Sequence, residues 1–268
     1  MAAFDPWEPF RELRFAGTRE HPLHGPCFIA EGRILVEDLL ASAMRGGPRI
    51  VSIAATPAGA EGLEGRLPDG TELLVAAPEV LSGLAGFPFH RGLMACAVVP
   101  AAPPLEKLRE AHRLLVLPRL FDTENLGLLL RTAAALGMDG VLAGPGPGLW
   151  TRRTVRVSMG AVWRIPVWRE ENPWDSLAQW KAAAPGEIAA AALRPQAVDA
   201  YQWRPPSRCA LVLGPEDRGL EEAALAHCDR TVVIPMASGM DSLNVAAAGA
   251  ILMHRMLDPH LPPRDERA

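Results

Sequence analysis

The sequence predicts an α/β protein whose larger part is a parallel sheet covered by helices. From residue 113 onward, short apolar runs typical of buried strands alternate with amphipathic runs typical of helices. Polar clusters that contain glycine follow three of the strand-like runs. Because ligands of such sheets bind at the carboxyl ends of strands, the same pattern predicts a pocket at that edge.

Composition limits the classes of protein to which the chain can belong. It has 268 residues, 49% of them hydrophobic, which suits one large or two ordinary domains. A formal net charge of −4 argues against a polybasic nucleic-acid binder, but not against an enzyme with a local basic patch. Four widely separated cysteines without a CxxC pair predict no zinc site. We find no leader segment and no membrane-spanning apolar run, and therefore expect a cytoplasmic protein that binds neither metal nor membrane.

A proline-rich segment at residues 98–104 divides the chain. Three prolines in seven residues suit a linker or an exposed connection. We therefore expect a small α/β domain at residues 1–98, a linker at 99–112 and a second domain at 113–268.

The first domain is predicted from mixed helix-like and strand-like runs. Its predicted elements are residues 32–44 (helix), 49–54 (strand), 72–76 (strand), 78–84 (helix) and 93–99 (strand). The apolar stripe of its first helix consists of Ile34, Leu35, Leu39 and Leu40. Eight basic and twelve acidic residues between 1 and 105 leave no basic face visible in the sequence.

The second domain has a more regular alternation. Its predicted strands are residues 113–117, 140–143, a short one ending near 167, 187–192, 209–213 and 230–234. Its predicted helices are residues 125–136, residues 174–184 and an alanine-rich helix opened by Ser242-Leu243-Asn244.

The first polar cluster, residues 121–132, follows the strand at 113–117. Asp122 is a predicted helix cap, and Asn125 and Arg131, six residues apart, lie on different faces of the helix. A guanidinium near a helix start is badly placed for the helix dipole, which favours a ligand role for Arg131. A solvated arginine is the alternative.

The second and third clusters combine glycines with neutral or acidic side chains. Gly214 allows close backbone approach to a ligand, and Glu216 is an acceptor for hydroxyl or amino groups. The cluster lacks the Gly-Lys-Ser/Thr ending of a phosphate-binding loop. Ser242 and Asn244 suit an uncharged hydroxyl or amide, although Ser242 is also a plausible plain helix cap. No nucleophile–base pair is present in these segments.

Taken together, the clusters resemble the three motifs of the SpoU family of RNA ribose 2′-O-methyltransferases, within the SPOUT class of knotted methyltransferases. The matching residues are Asn125, Gly127, Arg131 and Thr132 in the first motif, Gly214, Glu216 and Gly219 in the second, and Ile234-Pro235-Met236 with Ser242-Leu243-Asn244-Val245-Ala246 in the third. Their order and separations match over roughly residues 114–256. The chain departs from the family pattern at Thr123, where proline is common, and at Arg91, where glutamine is common.

The resemblance implies a fold, a cofactor and a set of site residues. The fold would be a parallel sheet with a C-terminal trefoil knot, preceded by the small RNA-binding α/β domain. S-adenosylmethionine would lie in loops of the second and third motifs, against Leu213, Gly214, Gly219, Ile234, Met236 and Leu243. Arg131 would bind a phosphate and stabilise the alkoxide that forms at a ribose 2′-hydroxyl. The residues that orient Arg131 and the ribose would be Asn125, Glu216, Ser242 and Asn244.

The resemblance also implies partners. The substrate would be ribosomal or transfer RNA, and the protein would be a homodimer joined through its knotted domain. Arg152, Arg153 and Arg156 belong to the densest basic segment and are the predicted RNA contacts, with a solvated surface as the alternative.

Three other functions are weighed against this one. A non-catalytic RNA-binding protein that retains the knotted fold is the main alternative. An antibiotic-resistance methyltransferase would share the chemistry and differ in its RNA target. An ordinary α/β nucleotide enzyme is disfavoured because the chain has no phosphate-binding glycine loop.

Overall fold

A computed structural model describes residues 5–15, 17–120, 122–215, 218–237 and 242–257. The strands are β1 (Arg19–His21), β2 (Gly25–Glu31), β3 (Ile50–Ala55), β4 (Glu72–Val75), β5 (Leu93–Val98), β6 (Arg113–Leu117), β7 (Gly140–Ala143), β8 (Val167–Arg169), β9 (Glu187–Ala191), β10 (Val198–Asp199), β11 (Cys209–Val212) and β12 (Arg230–Val233). The α-helices are α1 (Arg33–Ala43), α2 (Pro57–Ala60), α3 (Pro78–Ala85), α4 (Leu105–Glu110), α5 (Thr123–Ala135), α6 (Arg152–Val157), α7 (Pro173–Ala183), α8 (Glu222–Leu225) and α9 (Val245–Arg255). None of the helices in these ranges is both long and apolar enough to traverse a bilayer.

The chain forms two compact units, the first comprising Met1–Ala101 and Gly148–Arg164. Its described part contains a mixed sheet in the order β1-β2-β5-β3-β4, in which only β3 and β4 are parallel. Apolar side chains from the sheet, from α3 and from the segment before β1 form its core, among them Phe10, Ile29, Leu81 and Phe89.

The segment Gly148–Arg164 is the main difference from the predicted domain boundaries, which assigned it to residues 113–268. The rings of Trp150 and Trp163 lie 4.8 and 5.6 Å from the buried ring of Phe28. The indole of Trp163 donates to Asp38 at 3.1 Å, and Arg164 forms an ion pair with the same carboxylate. Aromatic packing and paired charges therefore attach this segment to the first unit.

The second unit comprises Ala102–Pro147 and Ile165–Ala268. Its described strands form one sheet in the order β10-β12-β9-β11-β6-β7-β8, and every neighbouring pair is parallel. The predicted parallel sheet is confirmed. Strands β7 and β11 are buried along their whole length, and β6 at every residue after Arg113, which explains their continuous apolar sequences.

A buried arginine joins the C-terminal ends of α4 and α7 in this unit. Arg208, 6% exposed, donates to the carbonyl oxygens of Trp180 and Ala184 at 2.6 Å and of Arg109 at 3.0 Å. Its guanidinium carbon lies 3.9 Å from the centre of a Trp180 ring. The side chain thus satisfies carbonyls at the ends of α4 and α7 that have no partner within their helices.

Helix α9 packs closely against α5 and the end of β11 because of one glycine. A Cβ at buried Gly249 would lie 2.6 Å from Cδ2 of Leu129 on α5 and 2.9 Å from Cδ1 of Leu213 after β11. A larger residue here would force these two buried leucine side chains to move.

Several details differ from the sequence prediction. Strands β1 and β2 were missed, and α4 lies inside the predicted linker 99–112. Ile34 is 72% exposed, whereas Val36 is buried with the rest of the stripe. At 100° per residue, Ile34 lies opposite the face formed by the other apolar residues of α1, which explains its exposure. Val167 begins β8 rather than ending a strand.

We expect Gly249→Val to lower the free energy of unfolding by about 1–3 kcal/mol, because the added carbons overfill the α5–α9 contact. Ala182→Val, at an exposed position of α7, is the matched control and is expected to change it by less than about 0.5 kcal/mol. Urea unfolding curves measure both values. Equal effects of the two substitutions would show that the contact is not tightly packed.

Candidate functional site

A cavity of about 490 Å³ opens at the carboxyl edge of the sheet in the second unit. Its walls are the segments that follow β9, β11 and β12, together with the start of α9. Its volume is in the range of small-molecule and cofactor sites. All six residues predicted to hold a cofactor line it, namely Leu213, Gly214, Gly219, Ile234, Met236 and Leu243.

The loop after β11 is folded back on itself, and its glycines permit this path. A Cβ on Gly214 would lie 2.6 Å from the carbonyl carbon of Gly219 and 2.7 Å from the amide nitrogen of Leu220. Gly219 has a φ of 64° and its amide donates to the carbonyl oxygen of Pro215 at 3.0 Å. Larger residues would push this loop away from its present position. Glu216, predicted as a site residue, lies outside the described residues.

The end of β9 forms a wall that the sequence prediction missed. Ala191, Ala192, Leu193 and Arg194 all line the cavity. Arg194 pairs with Glu222 at 2.6 Å, and the side chain of Leu193 is 64% exposed. The sequence pattern did contain a signal for this wall, because the predicted strand 187–192 ends here. Ligands of parallel sheets bind at the carboxyl ends of strands.

The cavity suits an organic molecule with an apolar body. Most of its lining residues are aliphatic, while about half of its surface is polar, because backbone groups of the loops and a few polar side chains are also exposed in it. The lining residues also include two arginines, Arg194 and Arg218. Within the described ranges, no group of three or more histidine, cysteine or acidic side chains is placed to hold a metal ion.

Asn244 connects the third motif to the first. Its Oδ1 accepts the amides of Ala246 at 2.9 Å and Ala247 at 3.3 Å, so Asn244 caps α9. Its Nδ2 donates to Oδ1 of Asn125 on α5 at 3.0 Å. The alternative of Ser242 as the helix cap is therefore wrong, and Ser242 instead lies exposed among the residues that line the cavity.

Arg131 does not line the cavity of its own chain. It is exposed on α5 and is not among the lining residues. Across the part of the chain that the structure describes, it forms no hydrogen bond or ion pair. Helix α5 begins at Thr123, two residues before its predicted start, and Asp122 caps it as predicted, because its Oδ1 accepts the amides of Glu124 at 2.6 Å and Asn125 at 2.9 Å.

The three predicted RNA-contact arginines lie on α6, in the first unit. Nη1 of Arg152 is 2.6 Å from Oε2 of Glu31, a carboxylate that is only 5% exposed. The Arg152 guanidinium also lies 4.3 Å from the centre of the Phe87 ring. Arg152 therefore has a structural role that the sequence did not indicate. Arg153 is exposed and Arg156 is half-buried.

The thiols of the second unit are poor nucleophiles. Burial raises the pKa of Cys228 to about 11, and burial with the nearby carboxylates Glu187 and Asp229 raises the pKa of Cys209 well above its usual value. Both thiols are therefore protonated at neutral pH, which excludes thiolate catalysis by these two residues.

Comparison with known proteins identifies relatives that match most of the chain. A profile of the SpoU rRNA methylase family matches residues 112–254. The chain is 33% identical to a Mycobacterium tuberculosis protein named as an uncharacterized tRNA/rRNA methyltransferase, over 93% of this chain and 89% of that one. It is 32% identical to a 23S rRNA (guanosine-2′-O-)-methyltransferase of Acinetobacter baylyi, over 70% and 78% of the two chains. An AdoMet-bound rRNA methyltransferase from Sinorhizobium meliloti has a TM-score of 0.72 and 26% identity, with 86% of each chain covered.

Two substitutions at Asn244 separate its capping and bridging contacts. Asn244→Ala is expected to lower the free energy of unfolding by about 1 kcal/mol, because the first amides of α9 lose their acceptor. Asn244→Asp keeps the capping oxygen and should stay within about 0.5 kcal/mol of the unmodified protein, although the donor to Asn125 is lost. Thermal unfolding measures both. An equal loss in the two variants would contradict capping as the stabilising contact.

Proposed function

The chain belongs to the SpoU rRNA methylase family, and we propose that it transfers the methyl group of S-adenosylmethionine to a ribose 2′-hydroxyl of ribosomal or transfer RNA. The cavity of the second unit carries this proposal, because its lining contains every motif residue expected to contact the cofactor. Such a substrate implies that the enzyme acts in the cytoplasm. The first unit is proposed to bind the RNA.

The cavity residues fit the cofactor in their chemistry. Leu213, Met236 and Leu243 provide apolar surfaces for the adenine, and the backbone near Gly214 and Ile234 provides donors and acceptors. The bound sulfonium supplies an electrophilic methyl group, so the protein has to position the acceptor oxygen and exclude competing reactions.

Arg131 is the proposed catalytic residue. A guanidinium does not readily give up a proton, so its role is to bind a phosphate beside the target ribose and stabilise the developing alkoxide. Asn125 lies on the same helix and is fixed by Asn244, which places an ordered amide pair at the start of that helix. Glu216 and Ser242 are proposed to orient the ribose with them.

The main alternative, a non-catalytic protein with this fold, has less support. Such a protein has no need for Arg131 to remain exposed without a partner among the described residues. The motif residue Ser242 also lines the cavity, and Asn244 joins the third motif to Asn125 of the first.

A homodimer explains why Arg131 is absent from the cavity of its own chain. Helices α5 and α9 pack against each other, and each exposes an apolar side chain, Leu128 at 37% and Ile251 at 43%. A second copy is the proposed occupant of this face, since pairing would bury these side chains and bring Arg131 toward the partner's cofactor cavity.

The second unit is also proposed to contain a trefoil knot. The last strand of the sheet, β12, lies between β9 and β10 rather than at an edge. The chain thus inserts its last strand between two strands that precede it in the sequence, which supports a path threaded through the preceding loops.

We expect Arg131→Ala to lower the methyl-transfer rate by about 100-fold or more, because the alkoxide loses its cationic partner. Cofactor affinity should be unchanged, since the proposed contacts of Arg131 are the RNA phosphate and the alkoxide rather than the cofactor. Transfer of a tritiated methyl group to ribosomal RNA measures the first quantity, and calorimetry with S-adenosylmethionine measures the second. Lys107→Ala removes an exposed cation of α4 as the control. Near-normal turnover by the Arg131 variant would refute the assignment.

Light scattering tests the dimer. The protein is expected to have twice the 28.8 kDa mass of the chain, and Ile251→Glu is expected to yield the single-chain mass because a charge enters the apolar interface. Leu105→Glu alters a similarly exposed leucine, 39%, on α4 and should leave the dimer intact. A single-chain mass for the unmodified protein would contradict the proposal.

A further inference from the structure

A buried carboxylate in the first unit lies between two guanidinium groups. Glu31 is the last residue of β2 and is 5% exposed. Its Oε1 lies 3.4 Å from Nε of Arg91, and its Oε2 lies 2.6 Å from Nη1 of Arg152. A carboxylate at this depth requires such partners, because an isolated buried charge is strongly unfavourable.

The position of the two arginines is set by the fold. Arg91 lies in the short loop before β5, and β5 pairs with β2 so that Glu31 lies opposite Met94. Arg152 begins α6 and is held over the Phe87 ring at 4.3 Å. The fold therefore places both guanidinium groups beside Glu31, and the Phe87 ring gives Arg152 a second contact.

Most donors of the two guanidinium groups remain available. Each has five N–H donors, and Arg91 is 50% exposed while Arg152 is 21% exposed. Among the residues that the structure describes, Glu31 is the one acceptor that either group contacts. Two positive charges and one negative charge leave an excess of one positive charge among the three groups, carried by side chains that are partly exposed. That arrangement fits a phosphate, which accepts several charge-assisted hydrogen bonds at once.

The neighbouring residues favour RNA over a small phosphate compound. Arg156 lies four residues after Arg152, on the same side of α6, so the basic surface continues along this helix. The Arg91 side chain lies against Gly32, since a Cβ there would be 3.5 Å from Cδ of Arg91, and Ile34, in the first turn of the helix that follows Gly32, is 72% exposed. Arginines together with an exposed apolar side chain in one unit suit an RNA strand, which presents both phosphates and bases.

We propose that Glu31 positions Arg91 and Arg152 as a phosphate-binding site through which the first unit holds RNA. The inference rests on the proposed function, whose substrate is RNA, and extends it to residues outside the methyltransferase motifs. Glu31 is a positioning residue in this account, and Arg91 is the RNA contact.

Filter binding to purified bacterial ribosomal RNA at several salt concentrations tests the site. Arg91→Ala is expected to weaken binding about fivefold near 0.15 M salt and to lower the slope of log K against log salt by about one. Arg45→Ala removes an arginine that is also exposed, beyond the far end of α1, and should change neither quantity. Calorimetry with S-adenosylmethionine should give the same affinity for all three proteins.

The Glu31→Gln variant distinguishes an orienting role of Glu31 from an effect of net charge on RNA affinity. The variant makes the protein more positive, so charge alone would strengthen RNA binding. We expect weaker binding instead, because the two guanidinium groups lose the acceptor that orients them. Thermal unfolding of the same preparation verifies that the variant is folded, and tighter binding by the folded variant would overturn the positioning role.

The outcomes distinguish this inference from the proposed function. Equal affinity and equal salt slope for Arg91→Ala and Arg45→Ala would overturn the phosphate site, while methyl transfer by the same preparations would leave the enzyme assignment intact. An Arg91-dependent salt slope without any methyl transfer would support the site and contradict the catalytic proposal.

Discussion

The contact between α5 and α9 is the constraint on which the candidate site depends. Asn244 caps α9 with its oxygen and donates its amide hydrogen to Asn125, so one side chain fixes a helix start and joins two motifs. One helical turn further on, Gly249 lets α9 approach Leu129 and the residue that follows β11. The end of β11 leads directly into the glycine loop of the cavity. Motifs far apart in sequence are therefore held together by one helix pair.

The first unit depends on a different kind of constraint, which is the pairing of buried charges and aromatic rings. Residues 148–164 bring four arginines to a part of the chain, residues 1–101, in which acidic residues outnumber basic ones by twelve to eight. Two of the four pair with Glu31 and Asp38, and the tryptophans of the segment pack on Phe28. A segment that lies between β7 and β8 in the sequence therefore belongs to the first unit. Its four arginines add positive charge to that unit.

Much of the second unit could be predicted from the sequence because its strands are short, continuous apolar runs. Residues 113–117 and 140–143 match β6 and β7 for this reason. The glycine loops and the residues around the cavity were also identifiable, because they follow strand ends. The capping residue was not, since Ser242 and Asn244 are both good caps and only the structure shows which one accepts the helix amides. The pairing of Glu31 with Arg152 joins positions 121 residues apart, and nothing local in the sequence signals it.

The central claim is that this chain methylates a ribose hydroxyl. The most direct test incubates the purified protein with isotopically labelled S-adenosylmethionine and bacterial ribosomal or transfer RNA, digests the RNA to nucleosides and identifies the labelled product by mass spectrometry. The account predicts a labelled 2′-O-methylnucleoside that is absent when the protein is omitted. A label on a base, or no label in any RNA while the cofactor binds, would contradict it.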